Sequence, residues 1–104
     1  MNILISTLKE ELSTVKRLEQ KYLKELNKIP KGSFIIREKG NRNYGYLTYR
    51  DGSKVKQKYL GLLDSESLKY YKDLAMRKKE LKRKLKSILE QKRILERALR
   101  AKTK

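Results

Sequence analysis

Cysteine, histidine and tryptophan are all missing from this 104-residue sequence. With them go disulfides, thiolate nucleophiles, imidazole bases and every zinc site built on Cys or His. Proline occurs once and glycine five times, too few for a linker or a low-complexity tract. No apolar run approaches the about 20 residues that span a bilayer, and Ile3–Ile5 is too short, with Glu10 and Glu11 too near, for a secretory leader. Acidic residues are scarce beside basic ones: 12 Asp plus Glu against 29 Lys plus Arg give a formal charge of +17. These absences predict a cytoplasmic, non-enzymatic protein with no cofactor, no metal, no small-molecule substrate and no membrane partner.

What is present predicts a folded chain. Charged residues make up 39% and hydrophobic ones 38%, and Leu, Ile and Tyr recur at regular spacing, unlike a disordered tail. The length allows one small domain over residues 1–104. A charge of +17 on so short a chain is self-repulsive, and a polyanionic partner is the simplest means of relief.

The chain has three segments and no internal repeat. In residues 1–29, Ile5, Leu8, Leu12, Val15, Tyr22, Leu26 and Ile29 fall on three- and four-residue steps, with Glu19 the one polar member of the stripe. Pro30 and Gly32 end this helix. In residues 33–60 the period changes to that of strands. Ser33–Glu38 is β-rich, Gly40–Asn43 is turn-like, Tyr44–Arg50 is rich in Tyr and Thr, and Asp51-Gly52 leads by a hairpin into Ser53–Leu60. A two-residue turn at Asp51-Gly52 pairs Arg50 with Ser53 and sets Tyr49, Leu47 and Gly45 on one face with Lys54, Lys56 and Lys58. The other face holds Thr48, Tyr46, Tyr44, Val55, Gln57 and Tyr59, and its aromatic character predicts that it packs on a helix.

Residues 64–102 read as a long basic helix capped by Asp64 or Ser65. With Tyr71 at heptad position a, the seam is Tyr71, Leu74, Lys78, Leu81, Leu85, Ile88, Lys92, Leu95 and Leu99. Every b position is then basic: Lys72, Lys79, Lys86, Arg93 and Arg100, a solvent-side ladder about 42 Å long at 1.5 Å per residue. Lys82, Arg83, Lys84 and Arg97 widen it. Asp73 with Arg77, Glu80 with Lys84 and Glu96 with Arg100 are favourable i,i+4 pairs. They leave most of the charge of residues 66–104, fifteen basic against five acidic groups, unused.

The predicted fold class is α+β and predominantly helical: a long helix, a three-stranded antiparallel β-meander and a long basic helix, the helices pairing as in a coiled coil. An antiparallel pair hinged at the meander leaves about ten residues of the longer helix uncovered, including Leu95 and Leu99. That overhang either frays or meets another copy of the chain, so a homo-oligomer is an open expectation.

Two short motifs carry resemblances. Gly32-Ser33-Phe34, Tyr44-Gly45-Tyr46 and Lys54-Val55-Lys56-Gln57-Lys58-Tyr59-Leu60-Gly61 resemble a small uncharacterised domain of bacterial and archaeal proteins. Its pattern is a Gly-Ser start, a Tyr-x-Tyr strand and a Lys-Tyr-Leu-Gly end, and a similar strand pattern stands near the start of some transposases and plasmid or phage proteins. The resemblance covers about 30 residues, with Asp51-Gly52-Ser53 in place of the pattern's Gly-Gly, and implies a mobile-element setting with nucleic acid nearby. Gly45-Tyr46-Leu47 with Tyr59-Leu60-Gly61 is also similar to the strand pair of a homing-endonuclease family, whose catalysis needs an Arg and a metal-binding Glu on following helices. Here the first arginine after Gly61 is Arg77, on the basic helix with Glu80 three residues on, so nuclease activity is not expected. Asp51, Asp64 and Asp73 suit turn, cap and helix-pair roles better than metal binding.

The expected function is non-enzymatic binding of nucleic acid, DNA or RNA, or of a nucleoprotein such as a guide-RNA nuclease inhibited by a phage protein. The residues expected to grip the phosphate backbone are Lys54, Lys56, Lys58, Lys72, Lys79, Lys82, Arg83, Lys86, Arg93, Arg97 and Arg100. Lys54, Lys56 and Lys58 read equally well as edge-strand lysines that prevent aggregation. The alternative function is a coiled-coil module for protein–protein interaction or oligomerisation.

Overall fold

The computed structural model describes residues 2–103 and has the expected α+β, mainly helical architecture. Helix α1 spans Ile3–Asn27, strands β1, β2 and β3 span Ser33–Lys39, Arg42–Asp51 and Lys54–Leu63, and helix α2 spans Ser65–Thr103. The strands form one antiparallel sheet in the order β1-β2-β3. Contacts divide the chain into a helical unit, residues 1–28 with 80–104, and a sheet unit, residues 29–79. Among the described residues no helix is long and apolar enough to cross a membrane.

In the helical unit, α1 starts at Asn2, whose Oδ1 accepts the Leu4 N–H at 2.9 Å, and ends at Asn27, two residues before the expected limit. The predicted stripe is the covered one: Val15 and Glu19 are buried, and Ile5, Leu8, Leu12, Tyr22 and Leu26 are half-buried. On α2 the seam positions Leu81 and Ile88 are buried, while Leu85, Lys92, Leu95 and Leu99 are half-buried. Lys92 Nζ bonds both Glu19 oxygens, at 2.9 and 3.3 Å, and Tyr22 shares a groove with Arg83, Lys84, Ser87 and Ile88. Numbers rising on α1 meet numbers falling on α2, so the pair is antiparallel. This register corrects the expected overhang. Glu19 opposite Lys92 brings the first half of α1 to Leu95 and Leu99, and the surplus length of α2 is its first fifteen residues, which belong to the sheet unit.

The sheet unit departs from expectation in two respects. The β2–β3 turn is Gly52-Ser53, closed by Asp51 opposite Lys54, because the residue with positive φ, Gly52 at +64°, takes the first central position that a II′ turn reserves for glycine. The register slides by two residues from the expected one, so the membership of each face is unchanged. What changes is which face is covered. Leu47 and Leu63 are buried at 8% and 7% exposure, Gly45 is buried, and Phe34, across from Leu47, lies 5.4 Å from the Tyr71 ring of α2. The expectation that the Tyr44, Tyr46 and Tyr59 face packs on a helix is overturned: Tyr59 is 55% and Val55 64% exposed.

A β-bulge explains the choice of face. Tyr46 opposes Tyr59 but Gly45 opposes Gly61, so Leu60 is an extra residue and the parity of β3 flips beyond it. Leu63 thereby joins Leu47 and Gly45, and a Cβ on Gly45 would stand 3.0 Å from Leu63 Cδ1. Leu62 turns to the tyrosine face, 54% exposed. Burial of each Leu contributes about 1.5–3 kcal/mol, enough to orient so small a sheet. Gly32 fastens the entry to β1. Its φ is +112°, and a Cβ there would run into the Thr48 carbonyl oxygen, so glycine is the residue that fits.

Candidate nucleic-acid interface

Of the two helix-capping candidates, Asp64 is the one used: its Oδ1 accepts the Ser67 N–H at 2.8 Å and its carbonyl accepts the Leu68 N–H. That hydrogen bond from the Ser67 backbone is the main cause holding the Asp64 carboxyl below its ordinary value. From this cap α2 presents its cations. Lys72 and Lys79, in the sheet unit, and Lys86, Arg93 and Arg100, in the helical unit, are all exposed. Among the described residues none of the five is in an ion pair. Lys82, Arg83 and Arg97 are exposed as well. Lys84 is engaged with Glu80 at 3.4 Å, one of the three expected i,i+4 pairs.

The two seam lysines are spent internally. Glu19, only 11% exposed at its side chain, accepts from Lys92, 29% exposed, and this hydrogen bond is the main cause raising Lys92 above the ordinary lysine value. Lys78 Nζ donates to the carbonyls of Pro30 and Gly32. Both ammonium groups replace lost water with oxygen ligands, as a covered charge must.

On the hairpin, Lys54, Lys56 and Lys58 are exposed, but they are not equivalent. Lys56 Nζ lies 2.7 Å from Asp51 Oδ2, whereas Lys54 and Lys58 make no ion pair among the described residues. β1 pairs with β2 only as far as Thr48, so Tyr49–Asp51 and Lys54–Lys56 form a two-stranded ribbon that carries Lys54 and Lys56, while Lys58 stands opposite Leu47 in the three-stranded part.

The open sheet face was not anticipated as a site. Register assigns it Ser33, Ile35, Arg37 and Lys39 of β1, Arg42, Tyr44, Tyr46, Thr48 and Arg50 of β2, and Val55, Gln57, Tyr59 and, beyond the bulge, Leu62 of β3. It therefore has four cations and no carboxylate, since Glu38 and Asp51 belong to the covered side. Arg37 Cζ stands 5.3 Å from the Tyr46 centroid, and the Tyr46 and Tyr59 centroids are 5.4 Å apart at 49°. The period-2 spacing of Arg37 and Lys39 was the available signal, but it acquires meaning only once the β1–β2 register is known.

The family described as Domain of unknown function (DUF6788) matches residues 5–69, more than half of the sequence. The chain belongs to that family. The matched stretch includes nearly all of α1, the whole sheet with its open face and hairpin lysines, and the cap and first turn of α2. It agrees with the resemblance to a small uncharacterised domain. No curated protein and no solved structure matches the chain.

Proposed function

We propose that this protein is a non-enzymatic, cytoplasmic nucleic-acid-binding protein that holds a phosphate backbone with cations of α2 and of the hairpin. The observation that carries the reading is the state of the five b-position cations. Lys72, Lys79, Lys86, Arg93 and Arg100 are exposed and unpaired among the described residues, in a chain of formal charge +17. Lys54 and Lys58 in the sheet unit, and Lys82, Arg83 and Arg97 in the helical unit, are further exposed cations, each within its own unit. Such cations displace condensed counterions from the backbone, a contribution indifferent to base sequence. In the same reading, the Gly32-Ser33, Tyr44-Gly45-Tyr46 and Lys58-Tyr59-Leu60-Gly61 motifs belong to a prokaryotic mobile-element or phage setting. A nucleoprotein such as a guide-RNA nuclease is then one target whose nucleic acid these cations could grip.

Salt-titrated gel shifts with duplex DNA, single strands and structured RNA test the proposal. If about six phosphates are neutralised, log affinity falls against log salt with a slope near −5 on duplex DNA. Charge reversal at Lys86, Arg93 and Arg100 weakens binding about a hundredfold or more without loss of helicity. Failure of all three nucleic acids to bind at about 50 mM salt, together with a stable multimer in sizing, overturns it in favour of an oligomerisation module.

A further inference from the structure

The open face of the sheet has a chemistry distinct from that of the basic helix. A row crosses all three strands: the Arg37 guanidinium of β1, the Tyr46 ring of β2 at 5.3 Å from it, and the Tyr59 ring of β3 at 5.4 Å from Tyr46. The outermost ring, Tyr59, is 55% exposed, so an aromatic side chain is left in solvent at the end of the row. Lys39 and Arg42 flank the row at one end and Arg50 at the other.

We infer that this face stacks the unpaired bases of a single-stranded nucleic acid. The inference rests on the proposed backbone binding and deepens it by naming the form of the ligand. An exposed ring such as Tyr59, backed by the half-buried Tyr46 and bordered by cations, suits a single strand because every base has a π face to stack while the cations hold its phosphates. A duplex hides those faces inside its own stack and gains only the charge contribution. A second copy of this chain is a poor occupant, because it would bring four like charges against these four with no carboxylate on either face. An apolar protein segment would leave the cations without counterparts.

The test compares fluorescein-labelled oligo(dT) of about twelve nucleotides with a mixed-sequence duplex of the same length, by anisotropy at fixed salt, on the full chain. Tyr59→Ala weakens oligo(dT) binding about tenfold or more while duplex affinity stays within about twofold, and Tyr59→Phe retains single-strand binding. Because Tyr59 is largely exposed, unchanged circular dichroism and melting are expected of both variants. Wild-type binding to both ligands with Tyr59→Ala weakening neither, or both equally, overturns the stacking role and leaves the backbone reading intact. Failure of wild type to bind either ligand defeats the backbone reading and this one with it. Dissociation of a wild-type dimer by Tyr59→Ala, with nucleic-acid binding unaltered, identifies the face as a self-association surface and also overturns the inference.

Discussion

The two faces of the sheet are built from the same strands with alternating side chains, yet one is covered and the other is open. On the covered face Leu47, Leu63 and Phe34 meet around a glycine, with the Tyr71 ring beside Phe34. On the open face three tyrosines, four cations and Val55 remain in contact with water, Tyr59 and Val55 most of all. The comparison teaches that aromatic content is a poor guide to which side of a thin sheet is buried. Large rings make good core, but they also tolerate exposure through their hydroxyls and through cation–π contacts. Aliphatic side chains clustered about Gly45 have no such alternative, and they decide the matter.

The largest effect that would sharpen this contrast is at Leu47. Leu47→Ala costs about 2–5 kcal/mol in denaturant unfolding, against about 0.5 kcal/mol or less for Tyr59→Ala. Comparable losses at the two positions would break the distinction between the faces. Next is Gly45→Ala, whose new methyl stands 3.0 Å from Leu63 Cδ1 and costs about 1–3 kcal/mol through overpacking. A neutral result there would mean that Leu63 moves aside freely.

A covered polar contact in the helical unit extends the comparison. The hydrogen bond from Lys92 to Glu19 raises the lysine above its ordinary value. Its stabilisation is therefore complete below the ordinary lysine range and is lost as pH rises through the raised value. Glu19→Gln lowers Tm by about 5 °C near neutral pH and removes most of that alkaline loss, because Lys92 no longer has a raised value in the folded state. A variant with an unchanged alkaline limb would show that the pair contributes nothing. The smallest effect is expected at Thr48, whose Oγ1 is buried without a hydrogen-bond partner among the described residues. Thr48→Val leaves stability unchanged or raises it by up to about 1 kcal/mol, because an unsatisfied hydroxyl is removed. A clear loss would reveal a partner for that hydroxyl.

Periodicity made the helices legible almost residue by residue. All eight a and d positions from Leu74 to Leu99 avoid full exposure, Glu19 is covered as the polar member of its stripe, and every b-position cation is exposed. Helical faces are fixed locally by the 3.6-residue repeat, so no distant information is needed. The meander was legible as three strands with the right composition on each face. Its turn position depended on which residue takes positive φ, and its buried face depended on the bulge at Leu60, where one inserted residue moves Leu62 and Leu63 to opposite sides. Neither feature shows in a strand pattern. The open face was missed for the same reason, since Arg37 meets Tyr46 only through pairing between strands.

Amide chemical-shift mapping during titration with oligo(dT) reads the exposed cations and the open face in one experiment. Shifts are expected to concentrate at Arg37, Tyr46, Val55 and Tyr59 and at Lys86, Arg93 and Arg100, with Phe34, Leu47 and Leu63 little changed. Shifts confined to Phe34, Leu47 and Leu63, or absent at saturating oligonucleotide in low salt, are the opposite result.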